Sequence, residues 1–226
     1  MKKLAAFFLL AGLAAIPAFG DSITITGGYF LPRGDSDVFF QNEIETTFDV
    51  HDLDGWGGTI RYEHFLGDHF SLGGGFSYND SWTTVQDLDF IHENGAPILR
   101  DISLQIVPLE FAAYVLPAGR NGAVIPYVGG GFGIYYWEYQ EVGDFIINRT
   151  SDFPEVINGV AYSDGYDPGW HIEGGVYVPV GGSVALVGEG KYWSADGKLN
   201  PAGFDPNFQP LDLSGTLISF GVSIWF

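Results

Sequence analysis

The chain has 226 residues, of which 46% are hydrophobic, 16% aromatic and only 16% charged, with a formal net charge of -19. That charge argues against binding nucleic acid through its phosphates, and the aromatic, charge-poor composition with 33 glycines does not fit an ordinary cytosolic domain. Cysteine is absent, which excludes a disulfide framework, a thiolate nucleophile and a zinc-thiolate site.

At the N-terminus Lys2 and Lys3 precede the apolar run Leu4 to Ile16, followed by Pro17 and the small-residue site Ala18-Phe19-Gly20. This has the layout of a secretory signal peptide, and the run is too short for the roughly 20 residues of a spanning helix. Residues 1–20 are therefore expected to be cleaved, leaving a single domain over 21–226. Loss of two lysines takes the net charge from -19 to -21.

Beyond Gly20 the recurring signal is period-two alternation broken by Gly, Asn and Asp. Eight stretches carry it: 23–32, 56–66, 70–81, 102–116, 124–139, 167–180, 183–193 and 212–226. Each is near or above the ~9 to 11 residues with which a tilted strand crosses the hydrocarbon. The connections between them have 23, 3, 20, 7, 27, 2 and 18 residues, a long-short alternation. An up-and-down outer-membrane barrel has tight turns on the periplasmic side and long loops outside. The predicted fold is all-β, an eight-stranded antiparallel up-and-down transmembrane β-barrel with both termini periplasmic. In such a barrel the last strand pairs with the first, so the apolar series Ile218, Phe220, Val222, Ile224, Phe226 faces lipid. The same layout puts Phe226 in the inner aromatic girdle, as Tyr29, Tyr62, Tyr78 and Tyr192 stand at other strand ends.

The stretch QIVPLEFAAYVL followed by IPYVGGGFGIYY, the terminal SFGVSIWF and the count of eight strands together resemble the small outer-membrane barrels of the OmpA-like and OmpW-like superfamily. The resemblance covers the whole mature chain. It implies a location in the cell outer membrane among lipid and lipopolysaccharide, assembly as a monomer, and a terminal Phe226 read by the barrel-assembly machinery. It also implies that the separate peptidoglycan-binding domain of some relatives is missing.

Parity assigns the interior. With Ile60, Tyr62 and His64 toward lipid, Arg61 and Glu63 point inward; Trp170 and Ile172 outward put His171 and Glu173 inside; Leu186 and Tyr192 outward put Glu189 and Lys191 inside. An eight-stranded barrel is only just wide enough for side chains to fill it. Buried Arg61 and Lys191 then need Glu63, Glu173 and Glu189 as partners, and the excess of one carboxylate calls for a protonated His171 or a neutral glutamate. The simplest role is a structural network closing the lumen, with a proton or ion path, or a catalytic carboxylate, as the alternatives. Glu110 stays unassigned, because Pro108 can mark a bulge that shifts its register.

Other motifs carry less. The glycine runs at 73–75 and 129–131 lie inside strands, where curvature and room for aromatic neighbours explain them better than phosphate binding. His69-Phe70-Ser71 has a His-x-Ser spacing without an acidic partner; Asp52-Leu53-Asp54-Gly55 starts like a calcium loop without its downstream Glu. No cofactor, metal or catalytic site is expected. The outer loops hold 17 of the 28 acidic residues, 7, 3, 5 and 2 in turn, which would repel anionic head groups unless divalent cations bridge them. They are also rich in apolar residues, so the strands are expected to extend into a rim with its own apolar cluster. Phe39, Phe40, Phe145 and Phe153 are the candidates for an apolar ligand cup. Two functions stay open: a barrel that binds or passes small hydrophobic molecules, as the OmpW-like resemblance implies, and a sealed structural or surface-interaction barrel with no transport role.

Overall fold

In the computed structural model, residues 20–151 and 153–226 are described. The expected leader therefore lies outside them, apart from Gly20. Eight strands close a ring: β1 (Asp21–Pro32), β2 (Gly55–Phe65), β3 (Phe70–Ile91), β4 (Pro97–Val115), β5 (Ile125–Ile147), β6 (Glu155–Gly181), β7 (Val184–Gly197) and β9 (Gly215–Trp225), with a two-residue stub β8 (Leu211–Asp212) beside β7. Every pairing is antiparallel, each strand lies beside its sequence neighbours, and β9 returns to β1, from Ser22↔Trp225 to Pro32↔Gly215. Full closure leaves no sheet edge in the region the ring spans.

Alternation matches the two solvents. Outward Ile25, Ile60, Leu72, Phe111, Phe132, Ile172 and Leu186 are exposed, while inward Thr24, Arg61, Glu173 and Lys191 are buried. The exposed apolar band is about 25 Å tall in such barrels. It ends toward the loops in a girdle of Tyr29, Trp56, Tyr78, Trp82, Tyr166 and Trp170, with Tyr192 5.8 Å from Trp170. This corrects the single-girdle expectation. Of the four tyrosines only Tyr62, which donates to Asp21 at 2.9 Å, reaches toward the end that holds Phe226; Tyr29, Tyr78 and Tyr192 stand at the opposite end.

The ring is lopsided. β3, β4, β5 and β6 have 22, 19, 23 and 27 residues, against 12, 11, 14 and 11 for β1, β2, β7 and β9. The long strands continue past the girdle as a tall wall, so two expected loops shrink to residues 92–96 and 148–154. The sequence boundaries fell short there because lipid no longer enforces the outward alternation. Inward Val85, Ile102, Leu104 and Tyr139 instead pack the apolar residues of the connections. Pro108 introduces no bulge: β4 keeps one register against β3 on both sides of it, and pairs with Tyr135 of β5.

The connection after β1 folds inward as helix α1 (Asp37–Glu45) and a short 3-10 turn (Val50–Leu53). Asp37 opens α1 where a negative charge suits the helix dipole. Val38 and Phe39 insert into the upper core, where Phe39 stacks on Phe48 at 5.8 Å and meets Tyr139 edge-on at 5.7 Å. Leu199, Phe204, Leu211 and Leu213 of the last long connection join the same core.

Candidate functional site

Near mid-barrel the lumen holds the ionic network that parity predicts. Arg61 Nε donates to Glu63 at 3.1 Å, Nη1 to Glu173 at 2.9 Å and Glu189 at 3.0 Å, and Nη2 to the hydroxyls of Tyr127 at 3.3 Å and Tyr177 at 3.0 Å. All five guanidinium N–H groups are thus taken. Its plane also lies over the rings of Tyr114 and Tyr127, at 5.0 and 5.4 Å. Lys191 Nζ donates to Ser77 at 2.7 Å and to Glu110 at 2.6 Å. His171 lies between the two pairs, Nδ1 3.4 Å from Glu110 and Nε2 3.8 Å from Glu173.

Glu110, left unassigned in the sequence, is therefore a fourth lumen carboxylate. Four glutamates against Arg61 and Lys191 leave two uncompensated charges with His171 neutral, one more than expected. Hydrogen bonds offset the surplus: each glutamate receives one tyrosine hydroxyl, Glu63 from Tyr177, Glu173 from Tyr114, Glu189 from Tyr127 and Glu110 from Tyr135. Ser71 also donates to Glu63, and Thr26 and Ser219 to Glu189. Charge-assisted bonds of this kind are about twice as strong as neutral ones. These tyrosines share inward parity with the predicted residues, which is the signal that would have found them. Gly129 and Gly73 make room for one of them, since a methyl on either would run into the Tyr114 ring.

The network is sandwiched. Toward the termini Phe65, Leu116, Ile125, Ala185 and Val187 close the lumen with Trp225 against them. Toward the loops Ile106, Trp137, Leu217 and the stacked pair Phe30 and Trp193, 5.3 Å apart, close it again. Beside Arg61, Glu110, His171 and Lys191 the free volume is about 10 Å³, roughly one water.

The four candidate cup phenylalanines do not converge. Phe39 is fully buried, whereas Phe40 is 62% exposed, because neighbours on a helix point about 100° apart. Phe145 lies half-buried on β5 under Arg100, whose guanidinium carbon is 4.9 Å from its ring centre. Phe153, in the β5–β6 tip, is 85% exposed.

The weaker motifs find structural roles. Asp49 and Asp52 form a capping box on the 3-10 turn, with Asp49 N–H donating to Asp52 at 2.9 Å and His51 N–H to Asp49 at 2.9 Å. His69 bonds the Leu116 carbonyl in a turn, while Ser71 is occupied with Glu63. Among the described residues no group of three or more His, Asp or Glu is arranged to hold a metal.

At the mouth, Arg149 of the β5–β6 tip ties α1 to the wall. It donates to Asp87 at 2.6 Å and Asp89 at 3.1 Å, and its Nη1 lies 3.8 Å from Glu45. Burial alone would push the Asp87 carboxyl up. Arg149, with the backbone N–H groups of Asp89 and Phe90, outweighs it and holds Asp87 below its ordinary value. Asn42 of α1 donates to Val38 O at 3.0 Å and Glu141 at 2.9 Å, and accepts from Arg100 at 2.7 Å.

Comparison with curated protein sequences gives no match. Among solved structures, neisserial surface protein A is similar at a TM-score of 0.50 and 14% identity, covering 92% of this chain and 99% of that one. OprG from Pseudomonas aeruginosa gives 0.49 and 16%, over 92% and 97%. Ail, the attachment invasion locus protein of Yersinia pestis, solved with the heparin analogue sucrose octasulfate, gives 0.48 and 12%, over 92% and 99%. At 14% identity the likeness to neisserial surface protein A is one of fold. The family described as outer membrane protein beta-barrel domain matches residues 6–226. With its closed ring and lipid-facing band, the chain belongs to that family and is an outer-membrane β-barrel protein.

Proposed function

We propose that this protein is a sealed outer-membrane anchor that presents its tall wall and acidic mouth at the cell surface, and that it passes no solute through its lumen. The observation that carries this reading is the Arg61 network held between two apolar layers, with room for about one water beside it. The dispersal of Phe39, Phe40, Phe145 and Phe153 weighs against a hydrophobic cup. In this reading the short turns and both termini face the periplasm, Phe226 serves the assembly machinery, and the barrel works as a monomer among lipid and lipopolysaccharide. It has no catalytic role. Planar-bilayer recording tests it: the parent protein should show no channel events, whereas Arg61→Ala should. Steady conductance by the parent would return the lumen to the transport reading.

A further inference from the structure

The mouth holds a cleft that lies outside the sealed lumen and serves none of its contacts. It opens between α1, the tall wall and the 198–214 connection and has a volume of about 230 Å³. Phe145, Phe204 and Phe208 wall it, with Val38 and Ala161 beneath. Glu45, Glu141 and Asp205 border it, against a single guanidinium, Arg100.

Arg100 is already committed. Its Nη2 donates to Asn42, its Nε lies 3.3 Å from Glu141, and its plane covers the Phe145 ring. Arg149 repeats the arrangement over Phe90, at 5.1 Å. Ring faces at this mouth therefore seat cations, which are drawn to the negative face of the ring. Among the described residues no Arg or Lys lies over Phe204 or Phe208. Glu45, which accepts from Gln41 at 2.8 Å and lies 3.8 Å from Arg149, keeps 26% of its side chain exposed, and Asp205 is exposed and, among the described residues, bonded through its side chain only by Asn207.

We propose that this cleft binds a small organic cation, an ammonium group on an apolar or aromatic body. The charge would lie over Phe208 beside Glu45 and Asp205, and the body against Val38, Ala161 and Phe204. An anion would meet three carboxylates, and a neutral apolar molecule would cover polar groups without bonding them. The volume is below the ~300 to 1,000 Å³ of drug-sized sites, which limits the ligand to about one ring with a short substituent. The acidic loops raise the local concentration of any cation.

The test is a titration of the folded protein in uncharged detergent, with protein-free micelles as baseline, using benzyltrimethylammonium, phenylacetate and benzyl alcohol. The expected result is saturable binding of the ammonium alone, weakening as salt is added. Phe208→Leu, which keeps an apolar side chain but removes the ring face, should weaken it about threefold to thirtyfold, the range of a cation–ring contact. Phe208→Trp should retain it, and Asp205→Asn should weaken it. A heat-shift gel confirms that each variant is folded. The proposal is overturned by absence of saturation, by equal binding of phenylacetate or benzyl alcohol, or by a folded Phe208→Leu variant that binds as tightly as the parent.

Discussion

Arg61 in the lumen and Arg149 at the mouth are each surrounded by three carboxylates, Glu63, Glu173 and Glu189 for the first and Glu45, Asp87 and Asp89 for the second. The side chain of Arg61 is 3% exposed and that of Arg149 18%. In the lumen every carboxylate also takes a tyrosine hydroxyl, because no bulk water is there to complete its shell. At the mouth Asp89 stays 68% exposed and water completes it. The same ion-pair chemistry is thus an obligation in one place and an option in the other. Desolvated charges are costly to leave unpaired, whereas exposed pairs contribute little.

The sharpest way to break this contrast is Arg61→Ala. Three buried glutamates would lose their cation, and the barrel should lose about 3 to 5 kcal/mol of stability, measured by urea unfolding in lipid vesicles. No loss would mean that water reaches the network and that the lumen is not sealed. Next is Lys191→Met, which leaves Glu110 with Tyr135 and His171 but without its cation and should cost about 3 kcal/mol. Adding Glu110→Gln should recover most of it, since removing both charges costs less than removing one. Additive losses in that double variant would show that the pair is not coupled.

At the mouth the effects should shrink. Arg149→Ala should cost about 1 kcal/mol or less and diminish further in high salt; a loss as large as that of Arg61→Ala would erase the distinction. Acid should act on the same contact. The Asp87 carboxyl is lowered in the folded state, so its contribution is full above the ordinary value of about 3.9 and is lost as pH falls through the lowered one. The Phe90 amide, which donates to Asp87, should report that step by NMR; a midpoint at or above about 3.9 would contradict it. Smallest of all, Phe153→Ser at the exposed tip should stay within about 0.5 kcal/mol.

Where lipid lies on one side and a packed lumen on the other, period two left little freedom, and Arg61, Glu63, His171, Glu173, Glu189 and Lys191 are all buried inside as parity predicts. Pro108 hides Glu110 in the sequence, because a proline can mark a bulge that shifts the register; antiparallel pairing to β5 carries the strand through Pro108 all the same. The mouth was less legible. Adjacent Phe39 and Phe40 belong to a nine-residue helix that the loop composition does not announce, and the helix turns one into the core and the other, about 100° away, to solvent. The upper halves of β3 to β6 face water outside and a mixed core inside, so their alternation weakens above the girdle.

The interior is also divided by size. Thr24, Thr26, Thr59, Ser77, Ser219 and Ser223 line β1, β2, β3 and β9, while Tyr114, Tyr127, Tyr135, Trp137, Tyr177 and Trp193 project from β4 to β7. The barrel's geometric axis is therefore blocked by rings, and the small hydroxyl side chains form a track displaced toward β1, β2 and β9. A leak created by loosening the network would be eccentric. It would climb along β1 and β9 and meet the stacked Phe30 and Trp193 before it reached α1, so that pair, rather than the helix, would set its threshold.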